Sequence, residues 1–241
     1  MEKRIIYRSP RGKQDSFVIA TAQVGTKNVQ RRLELCEDLY LNQVGEAEYR
    51  EEERSRWAEI SLKSKELSPE KLRAQVYGSI LRGAVGVEYD AMYDKIIKKD
   101  CTKGPWYDYL KELNYRITQC GRTWMALRNI AVYENVVEGS AILSDQKLPE
   151  DCVVGEFEDR EGNRYLMYQN VNVTEKKAKS FSLEIKNSFR IYRVNPHDGK
   201  QMISKESENV QKIMIMPGDA DLLRYQDTKE EAYLIEYALK K

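Results

Sequence analysis

The stretch from Leu72 to Tyr93 constrains the fold of this chain most, because it combines a helix, a glycine stop and a strand that ends in carboxylates. Its first part repeats apolar residues at the three- and four-residue spacing of a helix with one buried face. Ser68 and Pro69 precede it as an N-cap and a first-turn proline, and Gly83 follows it as a stop signal. The sequence therefore predicts a helix that begins at Pro69 and ends just before Gly83.

The second part of this stretch, residues 84–90, alternates between large and small side chains. Val85, Val87 and Tyr89 fall on one face of the predicted strand, whereas Glu88 and Asp90 fall on the face of the small residues. A strand with bulky residues under helices, small residues inside and acids at its carboxyl end is typical of a (β/α) barrel. Because the active sites of such barrels lie at that end, Glu88 and Asp90 are candidate catalytic residues.

Four segments together resemble the seventh and eighth units of a clan of (β/α)8 glycoside hydrolases and glycosidase-like proteins, which carry a C-terminal β-domain. The segments are 16–23 as the seventh strand, 68–77 as a helix, 83–89 as the eighth strand and 109–114 at the start of the last helix. The resemblance implies that residues 1–150 form a partial TIM-barrel-like βα segment. It also implies a carbohydrate as the partner of this chain.

The sequence changes character at Asp151, where short alternating runs separated by turns begin. The clearest pair of strands is 153–158 and 164–170, joined by a turn at 159–163. Further strands are predicted at 181–185, 190–194, 210–216, 220–225 and 233–239. This spacing predicts an antiparallel β-sandwich over residues 151–241. The predicted fold class is thus α/β plus all-β, with one domain over 1–150 and a second over 151–241.

Three other stretches of the first domain have less distinct patterns. Residues 1–15 are basic and turn-like, and residues 106–132 have the apolar spacing of one long helix. The strongly charged residues from about 28 to 60 predict one or two exposed helices inserted at the top of the barrel. Such helices either present a solvated face or bind a partner, and the sequence leaves both alternatives open.

Composition excludes several classes of function. The formal charge is +1, from 40 basic and 39 acidic residues, which gives no electrostatic reason to bind nucleic acid or a membrane surface. Only one histidine, His197, is present, and it lies in a predicted turn, so a serine or cysteine nucleophile would lack its base. The four cysteines form no metal-binding pair and no glycine-rich phosphate motif occurs, so no metal and no cofactor are expected. Without an apolar run of membrane-spanning length or a leader, we expect a cytoplasmic protein.

Catalysis by carboxylate side chains is the kind of chemistry that the composition still allows. Glycoside hydrolysis needs two carboxyl groups, and Glu88 and Asp90 lie two residues apart on one strand face, about 6–7 Å along the strand. The resemblance implies a nucleophilic glutamate at the end of the seventh strand, where this chain has Ala22-Gln23-Val24 instead. We therefore expect that the chain by itself is not a competent enzyme. If it is one, it is an O-glycosyl hydrolase that uses carboxylate acid and base catalysis.

The candidate sugar-binding residues are Gln23, Tyr89, Tyr93 and Trp106. The aromatic rings among them either stack on sugar rings or pack in the core. Two parallel strands do not close a barrel, so the chain is expected to need either an N-terminal barrel half or self-association. The alternative function is a non-catalytic carbohydrate-binding or assembly module.

Overall fold

The computed structural model describes residues 2–8, 16–23, 57–62, 65–84, 86–90, 92–186, 189–196, 199–206 and 209–227. The chain forms two compact units. The first comprises Met1–Met125 with Pro196–Gly199, and the second comprises Ala126–Asn195 with Lys200–Lys241. The described residues are mostly antiparallel sheet with few helices. No helix within these ranges is long and apolar enough to cross a membrane.

The described residues of the first unit form two pairs of strands and four helices. Strands β1 (Glu2–Arg8) and β2 (Ser16–Gln23) pair antiparallel, whereas β3 (Trp57–Ser61) and β4 (Gly86–Asp90) pair parallel. Helix α1 (Pro69–Leu81) connects β3 to β4. Three further helices follow, namely α2 (Met92–Lys95), α3 (Tyr107–Gln119) and α4 (Gly121–Ala126). The part of this unit that the structure describes therefore contains one complete β–α–β connection.

Helix α1 forms where the sequence predicts it. The Ser68 hydroxyl accepts a hydrogen bond from the backbone N–H of Lys71 at 3.2 Å, and Pro69 occupies the first turn. Gly83 has a φ of +91°, a left-handed conformation that costs glycine little and most other residues more. Leu72, Val76 and other apolar residues of the helix are buried. Capping and periodicity thus determine both ends of this element.

Three expectations for the first unit are wrong. Residues 2–8, which look turn-like because they are basic, form β1, in which Ile5 and Ile6 flank an irregularity in the pairing with β2. The carboxyl end of the charged stretch about 28–60 is strand β3 rather than helix, and residues 24–56 lie outside the described part. The long helix expected over 106–132 ends at Gln119, because Gly121 interrupts it and residues 128–133 pair in a sheet.

The second unit is built on a six-stranded antiparallel sheet, whose strands are β5 (Arg128–Tyr133), β8 (Cys152–Glu158), β9 (Arg164–Asn170), β11 (Phe189–Val194), β12 (Gln201–Glu206) and β14 (Ala220–Asp227). Their order in the sheet is β12-β11-β14-β9-β8-β5. Two smaller sheets pair β6 (Val136–Val137) with β7 (Gln146–Lys147), and β10 (Lys179–Glu184) with β13 (Val210–Ile215). The predicted hairpin β8–β9 and the predicted strands β10, β11, β13 and β14 are confirmed.

The core of the second unit contains residues from the six-stranded sheet and from the β10–β13 pair. Val154 and Leu166 of the larger sheet belong to the same buried cluster as Phe181 and Ile213 of the smaller one. Alternation along β10 and β13 sends every second side chain into this cluster. Strand β12 was not predicted, because its residues are largely exposed, and residues 233–239 and His197 lie outside the described part.

Asp151, just before β8, makes a charged contact that gives a testable dependence on pH. Its Oδ2 accepts hydrogen bonds from Lys179 Nζ at 2.7 Å and from Asn172 Nδ2 at 3.1 Å. These contacts, chiefly the one from Lys179, hold the pKa of Asp151 below its ordinary value of 3.8. A carboxylate with a lowered pKa stabilises the fold above the ordinary value, and this contribution is lost as the pH falls through the lowered value.

We therefore expect that Asp151→Asn makes the acid-side loss of stability shallower as the pH falls through and below 3.8. Asn tolerates the left-handed backbone at this position, where φ is +66°, so the substitution tests the charge rather than the turn. Urea unfolding at a series of pH values measures the effect. Asp145→Asn, at an exposed carboxylate 3.9 Å from Lys186, is the control and should leave the curve unchanged. Identical curves for wild type and Asp151→Asn would contradict the prediction.

Candidate carboxylate site on the parallel strands

The parallel strands β3 and β4 align without a register shift. Glu59 is the Cα partner of Glu88, and Ser61 is the partner of Asp90. Ala58 and Ile60 are in turn the partners of Val87 and Tyr89. Because alternate residues of a strand belong to opposite faces, Glu59, Glu88 and Asp90 occupy positions on one face of the pair. Tyr89 occupies a position on the other face.

The face of Tyr89 is packed in the core of the first unit. Ile60, Val87 and Tyr89 are buried, and Tyr89 is only 7% exposed. The Tyr89 hydroxyl donates a hydrogen bond of 2.9 Å to Oδ1 of Asn114 in α3. Burial, with smaller effects from nearby tyrosines, raises the pKa of Tyr89 well above its ordinary value, so its hydroxyl stays protonated. Tyr89 thus packs in the core of the first unit, on the face opposite the carboxylate positions, as the alternation along the strand predicts.

Asn114 is the polar partner that fixes β4 to α3. It is 3% exposed, and the hydrogen bond from Tyr89 engages its side-chain oxygen. Within the described residues its side-chain nitrogen has no hydrogen-bond partner. The pair holds β4 in one orientation, since a rotated strand would leave both buried polar groups unsatisfied.

Glu59 is a candidate site residue that sequence reasoning missed. The stretch Trp57-Ala58-Glu59-Ile60-Ser61 alternates in the same way as β4, with apolar Ala58 and Ile60 on one face. This signal was concealed by the run of charged residues before it, which favours an exposed helix. The strand parallel to β4 is therefore β3, whereas β2, which was assigned as the seventh barrel strand, pairs antiparallel with β1.

The other predicted site residues lie on separate elements. Gln23 is the last residue of β2, where it is the partner of Glu2, and Tyr93 lies in α2, which follows β4 directly. Trp106 is half-buried immediately before α3, with its ring at 5.9 Å from that of Tyr109 in an edge-to-face arrangement. Over the ranges that the structure describes, no three His, Cys, Asp or Glu residues are grouped to hold a metal ion.

Comparisons with known proteins give only low similarity to the solved structures described below. No protein-family model and no curated protein matches the sequence. Among solved structures, the GH27 β-L-arabinopyranosidase of Geobacillus stearothermophilus is 11% identical, with a TM-score of 0.39 over 69% of this chain and 32% of that one. The α-amylase of Geobacillus thermoleovorans is 9% identical, with a TM-score of 0.38 over 73% and 40% of the two chains.

A third similar structure is the GH30 endoxylanase of Clostridium papyrosolvens. It is 8% identical, with a TM-score of 0.37 over 71% of this chain and 42% of that one. This chain therefore spans only about a third to two fifths of the length of the solved structures that it is similar to.

Proposed function

We propose that this chain is a glycoside hydrolase-like protein that binds carbohydrate on the acidic face of β3 and β4. In this proposal, β3 and β4 are consecutive strands of a (β/α) barrel, and the sheets of the second unit form the β-sandwich that follows it. The observation that carries the proposal is the parallel register that pairs Glu59 with Glu88, on the face opposite the helix-packed Tyr89.

The paired glutamates suit the chemistry of glycosidic bonds. Neighbouring strands lie about 4.8 Å apart, so residues that are Cα partners are near neighbours on one face. Retaining glycosidases need two carboxyl groups at about 5–5.5 Å, and inverting enzymes need about 6.5–9.5 Å. Glu59 and Glu88 occupy positions compatible with the shorter separation, and Asp90 lies one pleat further towards the carboxyl end. Together they would bind sugar hydroxyls as hydrogen-bond acceptors.

Hydrolysis of a glycosidic bond requires more than the pair of Glu59 and Glu88. A closed barrel has eight parallel strands, and the described residues contain one parallel pair. The remaining walls of a barrel site would come from further βα units or from another copy of the chain. We therefore propose that the chain on its own binds sugar without hydrolysing it, and that Glu59 and Glu88 are the acid pair of a completed site.

An oligosaccharide-binding experiment tests this proposal. Affinity electrophoresis and calorimetry against a panel of neutral and acidic oligosaccharides should find at least one ligand. Glu59→Gln and Glu88→Gln should each lower the affinity for that ligand about tenfold, which is the effect expected for losing one charge-assisted hydrogen bond. Glu112→Gln, on the exposed side of α3, is the matched control and should leave binding unchanged. Equal thermal unfolding of all variants would show that their folds are intact.

Three outcomes would contradict parts of the proposal. Failure to bind any oligosaccharide, or binding that neither glutamate substitution weakens, would contradict the proposed binding site. Hydrolysis of aryl glycosides by the purified chain, abolished in Glu88→Gln, would confirm the site but contradict the expected lack of turnover.

An assembly module is the second candidate function, and one observation favours it. Strand β12 lies at the edge of the six-stranded sheet and exposes Met202 at 59% and Ile203 at 66%. An edge strand with exposed apolar residues is a ready template for pairing with another chain. Sizing chromatography separates the two functions, since a strict monomer that binds sugar would leave assembly without support.

A further inference from the structure

Strand β13 forms a regular edge of the smaller sheet in the second unit. Within the described residues it pairs with one neighbour, β10, and Val210–Ile215 follows Lys179–Glu184 antiparallel without a register shift. The edge strand β12, by contrast, pairs with β11 across an irregularity after Ile191. Because bulges increase the local twist of an edge and turn it away from further pairing, β13 is the better template of the two.

The backbone hydrogen bonds of β13 alternate between its two sides. The N–H of Ile185 donates to the carbonyl of Asn209 at 2.9 Å, directly beside the first pair of the ladder. Since hydrogen-bonded and non-hydrogen-bonded pairs alternate in an antiparallel ladder, the backbone groups of every second residue point away from β10. These residues are Val210, Lys212 and Met214. The carbonyl of Lys212 accepts a hydrogen bond of 3.0 Å from the side chain of Gln211, which takes the place of a neighbouring strand.

The same alternate residues form an exposed and largely apolar row. Met214 is 71% exposed, and Val210 and Met216 are exposed as well. Ile213 and Ile215, which alternate with them, are buried in the core of the unit. Burial of one face fixes the register of β13, so the exposed row stays on the outside. Exposed apolar side chains on a regular edge mark a surface for another chain, and methionine adapts to differently shaped partners.

Lys212 lies at the centre of this row, between Val210 and Met214. It is exposed, its cross-strand partner on β10 is the neutral Ser182, and it forms no ion pair with another described residue. Pairing with β13 of a second copy over the whole strand would bring Lys212 opposite Lys212, and like charges directly opposite each other destabilise paired strands. A carboxylate at that position would form an opposite-charge pair instead. Charge therefore favours an acidic partner over a second copy.

We propose that β13 binds an extended segment of a partner protein as an added strand, with an acidic residue beside Lys212 and apolar residues beside Val210 and Met214. The outward backbone groups of β13 supply the attachment, and the side-chain pairs select the sequence. This inference goes beyond the proposed sugar binding and does not depend on it. It defines the kind of partner that an assembly function of the second unit would take.

Two synthetic peptides test the inference on the full chain. One has the sequence Thr-Val-Thr-Glu-Thr-Val-Thr, in which a valine lies two positions to either side of the glutamate. The other has lysine in place of the glutamate. With fluorescently labelled peptides at low salt, anisotropy should show that the glutamate peptide binds about fivefold more tightly than the lysine peptide. High salt should reduce this preference, because it screens exposed charges.

Two substitutions in β13 separate the charge from the edge. Lys212→Glu should reverse the preference, so that the lysine peptide binds about fivefold more tightly. Met214→Pro should abolish binding of both peptides, because it removes an outward N–H while leaving the ladder with β10 intact. Lys98→Glu, at an exposed lysine of the first unit, changes the total charge as Lys212→Glu does and should leave the preference unchanged. Equal thermal unfolding of the variants shows that their folds are intact.

Four results would overturn the inference. Absence of binding by either peptide would contradict the docking edge, and equal binding of the two would contradict the acidic partner. A dimer in sizing chromatography that Met214→Pro dissociates would assign the edge to a second copy. Peptide binding that appears only in Glu236→Lys would assign it to residues 233–239 of the same chain, whose sequence has the same apolar and acidic alternation. Oligosaccharide binding enters none of these results, so the proposed function is tested separately.

Discussion

Replacement of Glu156 by alanine is expected to lower the free energy of unfolding of the second unit by about 3 kcal/mol. Glu156 lies in β8 and is 1% exposed. Its Oε2 accepts a hydrogen bond from the hydroxyl of Tyr133 at 3.0 Å, and its Oε1 accepts one from the backbone N–H of Ala141 at 3.2 Å. Arg164 of β9 lies 3.9 Å from Oε1. One carboxylate thus joins two strands and a loop.

The size of this effect follows from what alanine would leave behind. The half-buried hydroxyl of Tyr133 and the backbone N–H of the exposed Ala141 would lose a charged acceptor, and hydrogen bonds to charged groups contribute about 1.5–3 kcal/mol where they are buried. The truncation would also open a cavity beside the core. Because Arg164 is partly exposed, water would satisfy it, so the loss stays below the sum of all the contacts.

Two variants control this prediction. Glu156→Gln keeps the shape and one acceptor, and should cost about half as much as alanine. Glu158→Ala, two residues further along β8, removes a carboxylate that pairs with the exposed Arg128 at 2.8 Å and should cost less than about 1 kcal/mol. Urea unfolding measures all three, and equal costs for Glu156→Ala and Glu158→Ala would contradict the assigned role.

The charge of Glu156 also has a spectroscopic consequence. Burial first, and then the nearby Glu156 carboxylate, raise the pKa of Tyr133 to about 12. In Glu156→Gln the charge is removed, so the pKa of Tyr133 should fall towards its ordinary value of 10. Titration of the tyrosine ring carbons by NMR checks this.

Loss of a single hydroxyl from either Tyr168 or Tyr225 is expected to cost about 2 kcal/mol, whereas loss of both should cost less than about 1 kcal/mol. The two hydroxyls form a hydrogen bond of 2.5 Å in the core of the second unit. Both side chains are buried, and burial raises the pKa of each above its ordinary value. The ring of Tyr225 also packs edge-to-face on Phe189 at 5.7 Å.

The reason is the asymmetry of buried hydrogen bonds. Tyr168→Phe would leave the Tyr225 hydroxyl buried without its partner, and the reverse holds for Tyr225→Phe. The double variant removes both hydroxyls and keeps both rings. No buried hydroxyl is therefore left without a hydrogen-bond partner, and the packing of the rings is retained. The double-mutant cycle should therefore show a coupling of about 3–4 kcal/mol.

Tyr192→Phe controls for the loss of a hydroxyl as such. Tyr192 is half-buried on the neighbouring strand β11, and its ring lies beneath Arg224. This variant should change stability by less than about 0.5 kcal/mol. Additive costs in the Tyr168 and Tyr225 cycle would show that the two hydroxyls are not each other's essential partners.

Local patterns in the chain were sufficient for several elements. Helix α1 follows from a serine cap, a first-turn proline and a glycine stop, all of which act within one segment. Strand β4 and the hairpin β8–β9 follow from two-residue alternation and a turn of fixed length. The sequence was thus enough to place Glu88 and Asp90 on a strand and to separate them from the face of Tyr89.

Other features needed the tertiary structure, because they depend on contacts between distant segments. Strand β3 is concealed in a charged stretch, and only its hydrogen bonds to β4 bring Glu59 beside Glu88. Glu156 looks like a surface residue in a sequence, and only the approach of β5 and the 138–145 segment buries it. Alternation and capping act on neighbouring residues, so they assign a residue to a face, whereas its partner across a sheet is decided by strand pairing and register.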